Sequence, residues 1–382
     1  MKEKILFILP SFAIGGTTVS TKNLVSLLDK DKYACMVLAL DSHGLLRNMY
    51  DDVSQLETCF VAQALALQGW KDEDNWVRRI AAAGLRFLRN CSKKLQDRLI
   101  KIAINKIIGK RQFDTVVACQ EGFATLFASY IGCPNKVAWV RCDYKRYVEQ
   151  SGCRKDESYN LYNHIVCVAE KTTEGFVSLY PMLGDRIVCI HNPQNGDYLL
   201  QQSNVDDGDK RFVCDKFVIV SVGRLGSVKR FERIAEIAKQ LMLKGLSFYW
   251  YIIGEGECRE AIAESINVNN VGDCVIMLGA KSNPHYYIRR ADLYVCLSST
   301  EACPRVVNEA KILKTPVVSA DFDTIFEYLE HDVNGIIAPI ENMAEEIYRL
   351  MTDKTLYARI KENISGFTFD NSELMKKIES II

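Results

Sequence analysis

Eleven short apolar runs alternate with segments of helical period along nearly the whole chain, and this rhythm restricts the fold more than any other feature. A strand that is apolar on both faces belongs in a sheet covered on both sides. A helix between consecutive strands makes their pairing parallel. In the first half the runs are Ile5–Leu9, Ala34–Leu40, Thr115–Cys119, Lys136–Val140, Ile165–Ala169 and Ile187–Ile190. In the second half they are Phe217–Val222, Phe248–Ile253, Val275–Leu278, Leu293–Leu297 and Pro316–Ser319, with helices expected near 231–244, 256–266, 284–290, 304–313 and 342–351. The pattern predicts an α/β protein with parallel sheets in both halves.

At 382 residues the chain exceeds a single ordinary core, so two domains are expected. Asn192-Pro193-Gln-Asn-Gly-Asp197 and the polar stretch Gln201–Lys210 combine turn residues with a gap in apolar character, which places the boundary near 195/196 and a second domain over 196–366. Lys+Arg and Asp+Glu both total 48, so net charge gives no reason to expect nucleic acid as a partner. The 14 cysteines are scattered, form no C-x-x-C pair and fall mostly inside apolar runs, as small buried residues in a reducing compartment do. The apolar run at the N-terminus stops at Pro10, and no stretch approaches the length of a membrane span. The expectation is a cytoplasmic protein, free or bound peripherally to the inner face of the cytoplasmic membrane.

Residues with chemistry cluster after three of the expected strands. Glu301-Ala-Cys-Pro-Arg-Val-Val-Asn-Glu309 follows an apolar strand and brackets Pro304, which is tolerated in the first turn of a helix. The free amides after that proline, at Arg305 and Val306, then face the strand's C-terminal edge, where an anion binds favourably. Val222-Gly-Arg224-Leu-Gly-Ser-Val-Lys229 places two cations at the same edge, suited to a diphosphate whose charge grows as it leaves. Gly15 and Gly16 form a strand-to-helix turn that lets backbone approach a ligand, although no third glycine or Walker lysine follows. Gly254-Glu-Gly256 also begins like a dinucleotide turn, but Arg259 occupies its third position. Asp207-Gly-Asp209 and Asp321-Phe-Asp323 fit an Asp-x-Asp metal pattern and read instead as solvated turns; the dispersed histidines show no ligand spacing. No metal and no cofactor are expected.

Taken in order, Gly15-Gly16, Gly223-Arg224-Leu225 with Lys229, Ile252-Ile253-Gly254-Glu255-Gly256, Ala291-Asp292-Leu293, Ser299-Thr300-Glu301 with Pro304 and Glu309-Ala310, and Asn334-Gly335 resemble the motifs of family 4 of the retaining glycosyltransferases. The resemblance covers nearly the whole chain and is strongest from about 216 to 340. It implies a GT-B fold, with two facing Rossmann-like domains, an interdomain cleft and a last helix, within 367–382, that crosses back onto domain 1–195. It implies a nucleotide-sugar donor held by Arg224, Lys229 and the amides of Arg305 and Val306, with Glu309 on the ribose, Glu301 on the sugar hydroxyls, and Gly15 and Gly16 closing over the diphosphate. The catalytic group would then be Glu301, Arg224 and Lys229. Two positions depart from the family: Arg141 stands where a histidine near the donor sugar is usual, and Ala302 where glycine is usual.

From Arg78 to Arg111 there are eleven Lys/Arg against one acid, Asp97, and Ile80, Phe87, Leu88, Leu95, Leu99, Ile102 and Ile107 recur at helical spacings. This stretch, with Arg86, Arg89, Lys93, Lys94 and Lys101, is expected to face an anionic membrane surface. The whole reads as a retaining, metal-independent glycosyltransferase that moves a sugar from a UDP- or GDP-sugar to a hydroxyl of a glycan acceptor, lipid-linked, in surface polysaccharide synthesis. The alternatives are a sugar-nucleotide epimerase of similar fold and a catalytically idle homologue that binds glycan or partner enzymes, which Arg141 favours.

Overall fold

A computed structural model describes residues 2–13, 15–66, 75–151, 155–206 and 208–382. The chain divides into two compact units, Met1–Pro193 with Asn371–Ile382, and Gln194–Asp370. Every described cysteine is free.

The first unit is built on seven parallel strands, β1 (Glu3–Ser11), β2 (Tyr33–Asp41), β3 (Ser54–Gln55), β4 (Thr115–Ala118), β5 (Asn135–Val140), β6 (His164–Cys167) and β7 (Ile187–Cys189), in the order β3-β2-β1-β4-β5-β6-β7. Leu6, Ile8, Leu38, Leu40, Val116, Ala118, Ala138 and Val140 pack into one core, while Ile5, Phe7 and Leu9, which alternate with them along β1, are also fully buried. Helices therefore cover both faces, which is why the sequence of this strand is apolar throughout. The segment Asn371–Ile382 belongs to this unit: its helix Ser372–Glu379 ends where Asn135 Nδ2 donates to the Ile381 carbonyl at 2.8 Å.

The second unit carries six parallel strands, β8 (Phe217–Val222), β9 (Phe248–Ile253), β10 (Val275–Gly279), β11 (Leu293–Cys296), β12 (Val317–Ala320) and β13 (Ile336–Ala338), in the order β10-β9-β8-β11-β12-β13. Ile219, Trp250, Ile252, Val295 and Val318 fill the core on one face, and Val218, Val220, Tyr251, Ile253 and Val317 fill it on the other. A polar relay inside runs from Trp250 Nε1 to Ser221 Oγ at 3.1 Å and from that hydroxyl to the Val295 carbonyl at 2.7 Å, so neither donor is left unpaired.

Nine of the eleven expected strands fall within one residue of their expected ends at each terminus, and the other two, β1 and β6, within two. β3 and β13 were not expected. β3 is a two-residue polar edge strand, and β13 is a three-residue strand entered from Gly335, so neither offers a run long enough to read.

Gly254 and Gly256 have a local explanation that does not involve a dinucleotide. The turn after β9 lies backbone against backbone on the turn after β8: Gly223 N donates to the Ile253 carbonyl at 3.0 Å, Leu225 N to Glu255 at 2.9 Å, and Cys258 N to Leu225 at 2.8 Å. Gly254 has φ +151°, and a Cβ there would sit 1.8 Å from the Gly223 carbonyl oxygen; a Cβ on Gly256 would sit 2.4 Å from that of Leu225. Only glycine permits this approach. Gly254→Ala is expected to destabilise the second unit by about 1–3 kcal/mol or more, measured as a shifted denaturant midpoint, because a rigid backbone atom blocks the added methyl group.

Candidate functional site

The strand order of the second unit reverses between β8 and β11, which run side by side but lead outward to opposite edges of the sheet. In doubly wound sheets such a reversal opens a crevice at the strands' C-terminal ends. The residues that follow these two strands converge there. Lys229 lies in the single turn Ser227–Lys229 after β8, and its Nζ donates to Glu301 Oε1. Glu301 lies in the loop after β11 and accepts a second hydrogen bond, from Ser298 Oγ, at 2.7 Å on the same oxygen. The side chains of Lys229 and Glu301 are 22% and 16% exposed. Burial alone would lower the lysine's pKa, but the Glu301 carboxylate beside it outweighs burial, and the pKa ends above its ordinary value. Lys229 is therefore a charged ammonium held in place by the carboxylate. Gly223 lends room to this arrangement, since a Cβ there would meet the Lys229 side chain at 3.1 Å.

The helix Arg305–Ile312 starts one residue after Pro304, which occupies its cap position. The Arg305 amide donates to the Cys303 carbonyl at 2.8 Å, and its guanidinium donates to Glu309 Oε1 one turn on at 2.5 Å. Glu309 is 2% exposed, so this carboxylate does not face solvent. Burial raises its pKa, the Arg305 guanidinium and then His285 lower it, and the net shift is downward. His285 Nδ1 lies 3.8 Å from Glu309 Oε2 and makes no hydrogen bond among the described residues; burial lowers the pKa of this ring and keeps it neutral.

Arg224 stands apart from this group. Its side chain is 77% exposed and pairs with the equally superficial Glu257 at 3.1 Å, a contact of small energetic weight. Asp209, expected as a solvated turn residue, instead holds Arg211 at 2.6 Å and Lys281 at 2.8 Å, and these hydrogen bonds, the one from Arg211 foremost, keep its carboxyl far below the usual range. Arg211 also donates to the carbonyls of Met277 and Leu278, fixing residues 209–211 to the end of β10. Asp207 lies outside the described residues. Among the described residues no group of three or more His, Cys, Asp or Glu is placed to hold a metal ion.

In the first unit Gly15 caps the helix Gly16–Leu27 after β1, and Ile14 beside it lies outside the described residues. The φ of Gly15 is 179°, which any residue adopts, and a Cβ there would meet nothing within 4 Å. Neither strain nor crowding within the protein requires glycine at this position. Arg141, at the end of β5, donates through Nε to the Cys119 carbonyl at 2.7 Å and through Nη1 to Asn192 Oδ1, while its amide donates to Glu121 Oε2 at 2.9 Å. Of the five cations expected on a membrane face, Lys94 and Lys101 are exposed, Lys93 is exposed and pairs with Glu157 at 3.3 Å, and Arg86 and Arg89 are half-buried. Arg89 turns into its own domain, donating to the Leu65 carbonyl at 2.7 Å.

Sequence reasoning did not single out Ser298, Glu257 or His285. Ser298 read only as the end of a strand, and the other two are distant in sequence from the residues they meet.

Residues 204–366 match the family described as glycosyl transferases group 1. Over 154 residues the chain is 27% identical to an alpha-D-kanosaminyltransferase of Streptomyces kanamyceticus, covering 39% of this chain and 40% of that protein. Over 129 residues it is 32% identical to the amylovoran biosynthesis glycosyltransferase AmsK of Erwinia amylovora, covering 32% of each. The chain thus spans well under half the length of these curated relatives. The crystal structure of Anabaena HepE with UDP and glucose matches 99% of this chain and 98% of its own at a TM-score of 0.73 and 16% identity, which shows a shared fold of two Rossmann-like parallel-sheet units, the GT-B class.

The buried pair His285–Glu309 gives a pH signature. A histidine whose folded pKa is depressed binds its proton more readily unfolded, so stability is complete above about pH 6.5 and falls as the pH drops below that value. Glu309, also depressed, adds a further loss only when the pH falls below the ordinary glutamate range. Chemical unfolding between about pH 7.5 and 5.5 is expected to show stability falling by up to roughly 1.4 kcal/mol per pH unit from His285, and His285→Gln is expected to flatten that segment of the curve.

Proposed function

We propose that this chain, whose residues 204–366 match the glycosyl transferases group 1, moves a sugar from a nucleoside-diphosphate sugar to a hydroxyl of a glycan acceptor, with retention of anomeric configuration. The observation that carries the reading is the Lys229–Glu301–Ser298 cluster at the strand-order reversal: a cation for an anionic leaving group lies beside a carboxylate oriented by a second side chain. In this reading Lys229, with Arg224 swinging from its exposed contact with Glu257, meets the diphosphate. Glu309 meets the ribose and Glu301 the sugar hydroxyls, and the first turn of the helix Arg305–Ile312, at Val306, adds an amide to a phosphate oxygen.

As the bond from the anomeric carbon to the phosphate oxygen breaks, negative charge accumulates on the diphosphate, and Lys229 and Arg224 stabilise it more than they stabilise the bound donor. The acceptor oxygen bonds the anomeric carbon from the face that the leaving group vacates and passes its proton to a diphosphate oxygen. Glu301 serves by position and electrostatics. In this reading Lys229 and Arg224 supply the charge that a metal supplies elsewhere, so chelation with EDTA is expected to leave turnover unchanged. The open space around Gly15 suits backbone approach by a ligand in the first unit.

HepE was crystallised with UDP and glucose, which makes uracil the first donor base to test; neither curated relative described above is named for a lipid-linked acceptor, so that acceptor is our reading and not theirs. A second reading, an idle homologue that binds donor without turnover, draws on Arg141, whose guanidinium is committed to Cys119 and Asn192.

Purified protein incubated with UDP- and GDP-sugars, with and without lipid-linked acceptor, separates the readings. Transfer that requires acceptor and yields the donor's anomeric configuration by NMR supports the proposal. Free nucleotide or epimerised donor without acceptor indicates an epimerase, and a thermal shift with donor but no turnover indicates the idle homologue. Lys229→Gln is expected to lower kcat by roughly 10²-fold or more, and Glu301→Gln by a similar factor. Full turnover by Glu301→Gln would remove that residue from the mechanism.

A further inference from the structure

The helix Trp76–Cys91 packs the opposite way round from an ordinary surface helix. Trp76, Ile80, Gly84, Phe87 and Val77 fall within roughly a 100° arc of its circumference, an apolar stripe that a surface helix normally buries. Here the stripe faces outward, with Trp76 69%, Ile80 63% and Phe87 69% exposed. The inward side carries arginines, with Arg86 and Arg89 half-buried there beside Leu85. Ala82 is fully buried, Arg78 lies over the Phe60 ring at 5.3 Å, and Arg89 donates to the Leu65 carbonyl and lies over the Phe123 ring at 5.8 Å. The arginines cover the rest of the first unit with their stems and satisfy its carbonyl and ring faces, and the apolar stripe is left to water. Contiguous exposed apolar surface of this kind marks an interaction site.

Charge decides which partner fits. The next helix, Lys93–Ile107, starts two residues after this helix ends and exposes Lys93, Lys94, Arg98 and Lys101, while Arg79 is exposed on the flank of the stripe itself. The only acid between Arg78 and Arg111 is Asp97, and its carboxylate accepts the Tyr130 hydroxyl. A second copy of this chain docked face to face would bring two such cationic clusters together, and like charges repel. An apolar layer beneath a sheet of anions satisfies both features at once. We propose that the outward face of Trp76–Cys91 inserts into the acyl boundary of an anionic lipid bilayer, with the exposed cations of Lys93–Ile107 on the headgroups. Among the described residues no helix is long and apolar enough to cross a membrane, so the attachment is interfacial. The inference rests on this surface alone and does not need the transferase reading.

The test uses the full chain without donor, sedimented with vesicles of phosphatidylcholine alone or mixed with phosphatidylglycerol. Binding to the mixed vesicles is expected, and raising the salt weakens it. Ile80→Ser with Phe87→Ser is expected to weaken partitioning roughly tenfold or more, with an unchanged unfolding midpoint because both side chains are already in water. Lys94→Gln and Lys101→Gln each weaken it by up to roughly fivefold at low salt. Trp139 and Trp250 are buried, so in a Trp70→Phe background brominated acyl chains report on Trp76 and are expected to quench it. Three results overturn the proposal: no vesicle binding, vesicle binding that the Ile80/Phe87 variant leaves intact, or concentration-dependent self-association abolished by that variant in place of lipid binding.

Discussion

A parallel sheet covered on both faces has only its ends free for chemistry, and this constraint shapes both units. In the second unit the strands from Phe217 to Ala338 are apolar on both sides, and the polar relay from Trp250 to Ser221 to the Val295 carbonyl is closed on itself. Parallel pairing then sends every post-strand loop to the same edge. Lys229, Ser298 and Glu301 meet there because each lies within about a turn or two of a strand end, although they come from stretches of chain about seventy residues apart. The glycines after β8 and β9 bring two of those loops into backbone contact, which fixes the turn that delivers Lys229.

What the sequence made legible follows from the same constraint. A strand buried on both faces is an unbroken apolar run, and Phe217–Val222 and Phe248–Ile253 could be read to the residue. Short edge strands lack that signal, and Ser54–Gln55 and Ile336–Ala338 went unseen. Residue types at strand ends were also legible: Lys229, Glu301 and Glu309 stand out because charges rarely sit beside buried strands without a partner. Which partner each takes was not. His285 approaches Glu309 from a different helix, and Asp209 reaches Lys281 across more than seventy residues, contacts that depend on tertiary placement alone.

The basic helix shows the limit most clearly. Periodicity establishes that Trp76–Cys91 has an apolar side and a cationic side, and this much is read from spacing. The usual inference, that the apolar side packs inward, fails because the inward neighbours are the Phe60 and Phe123 rings and the Leu65 carbonyl, which arginine stems and guanidinium groups cover as well as leucine does. Two amphipathic orientations share one sequence pattern, and only the identity of the surface beneath selects between them.

The Lys229–Glu301 pair also bears on how the proposed diphosphate site is held in shape. Two opposite charges this far from solvent, if separated, would leave an uncompensated ion, at a cost on the order of 3–5 kcal/mol. Holding each other, they keep the loops after β8 and β11 in register. In the proposed reading, a diphosphate beside Lys229 would offer that ammonium a second anionic partner. Glu301 would then be free to turn toward a hydroxyl while Ser298 still restrains the oxygen that the lysine shared. The exchange replaces one charge-assisted contact by another, so little desolvation is added on binding. A lysine alone would lack this self-compensation, since nothing would fix its long stem before the ligand came. The pairing of a cation with a carboxylate from the neighbouring strand end is therefore a condition for a pre-organised anion site at this edge.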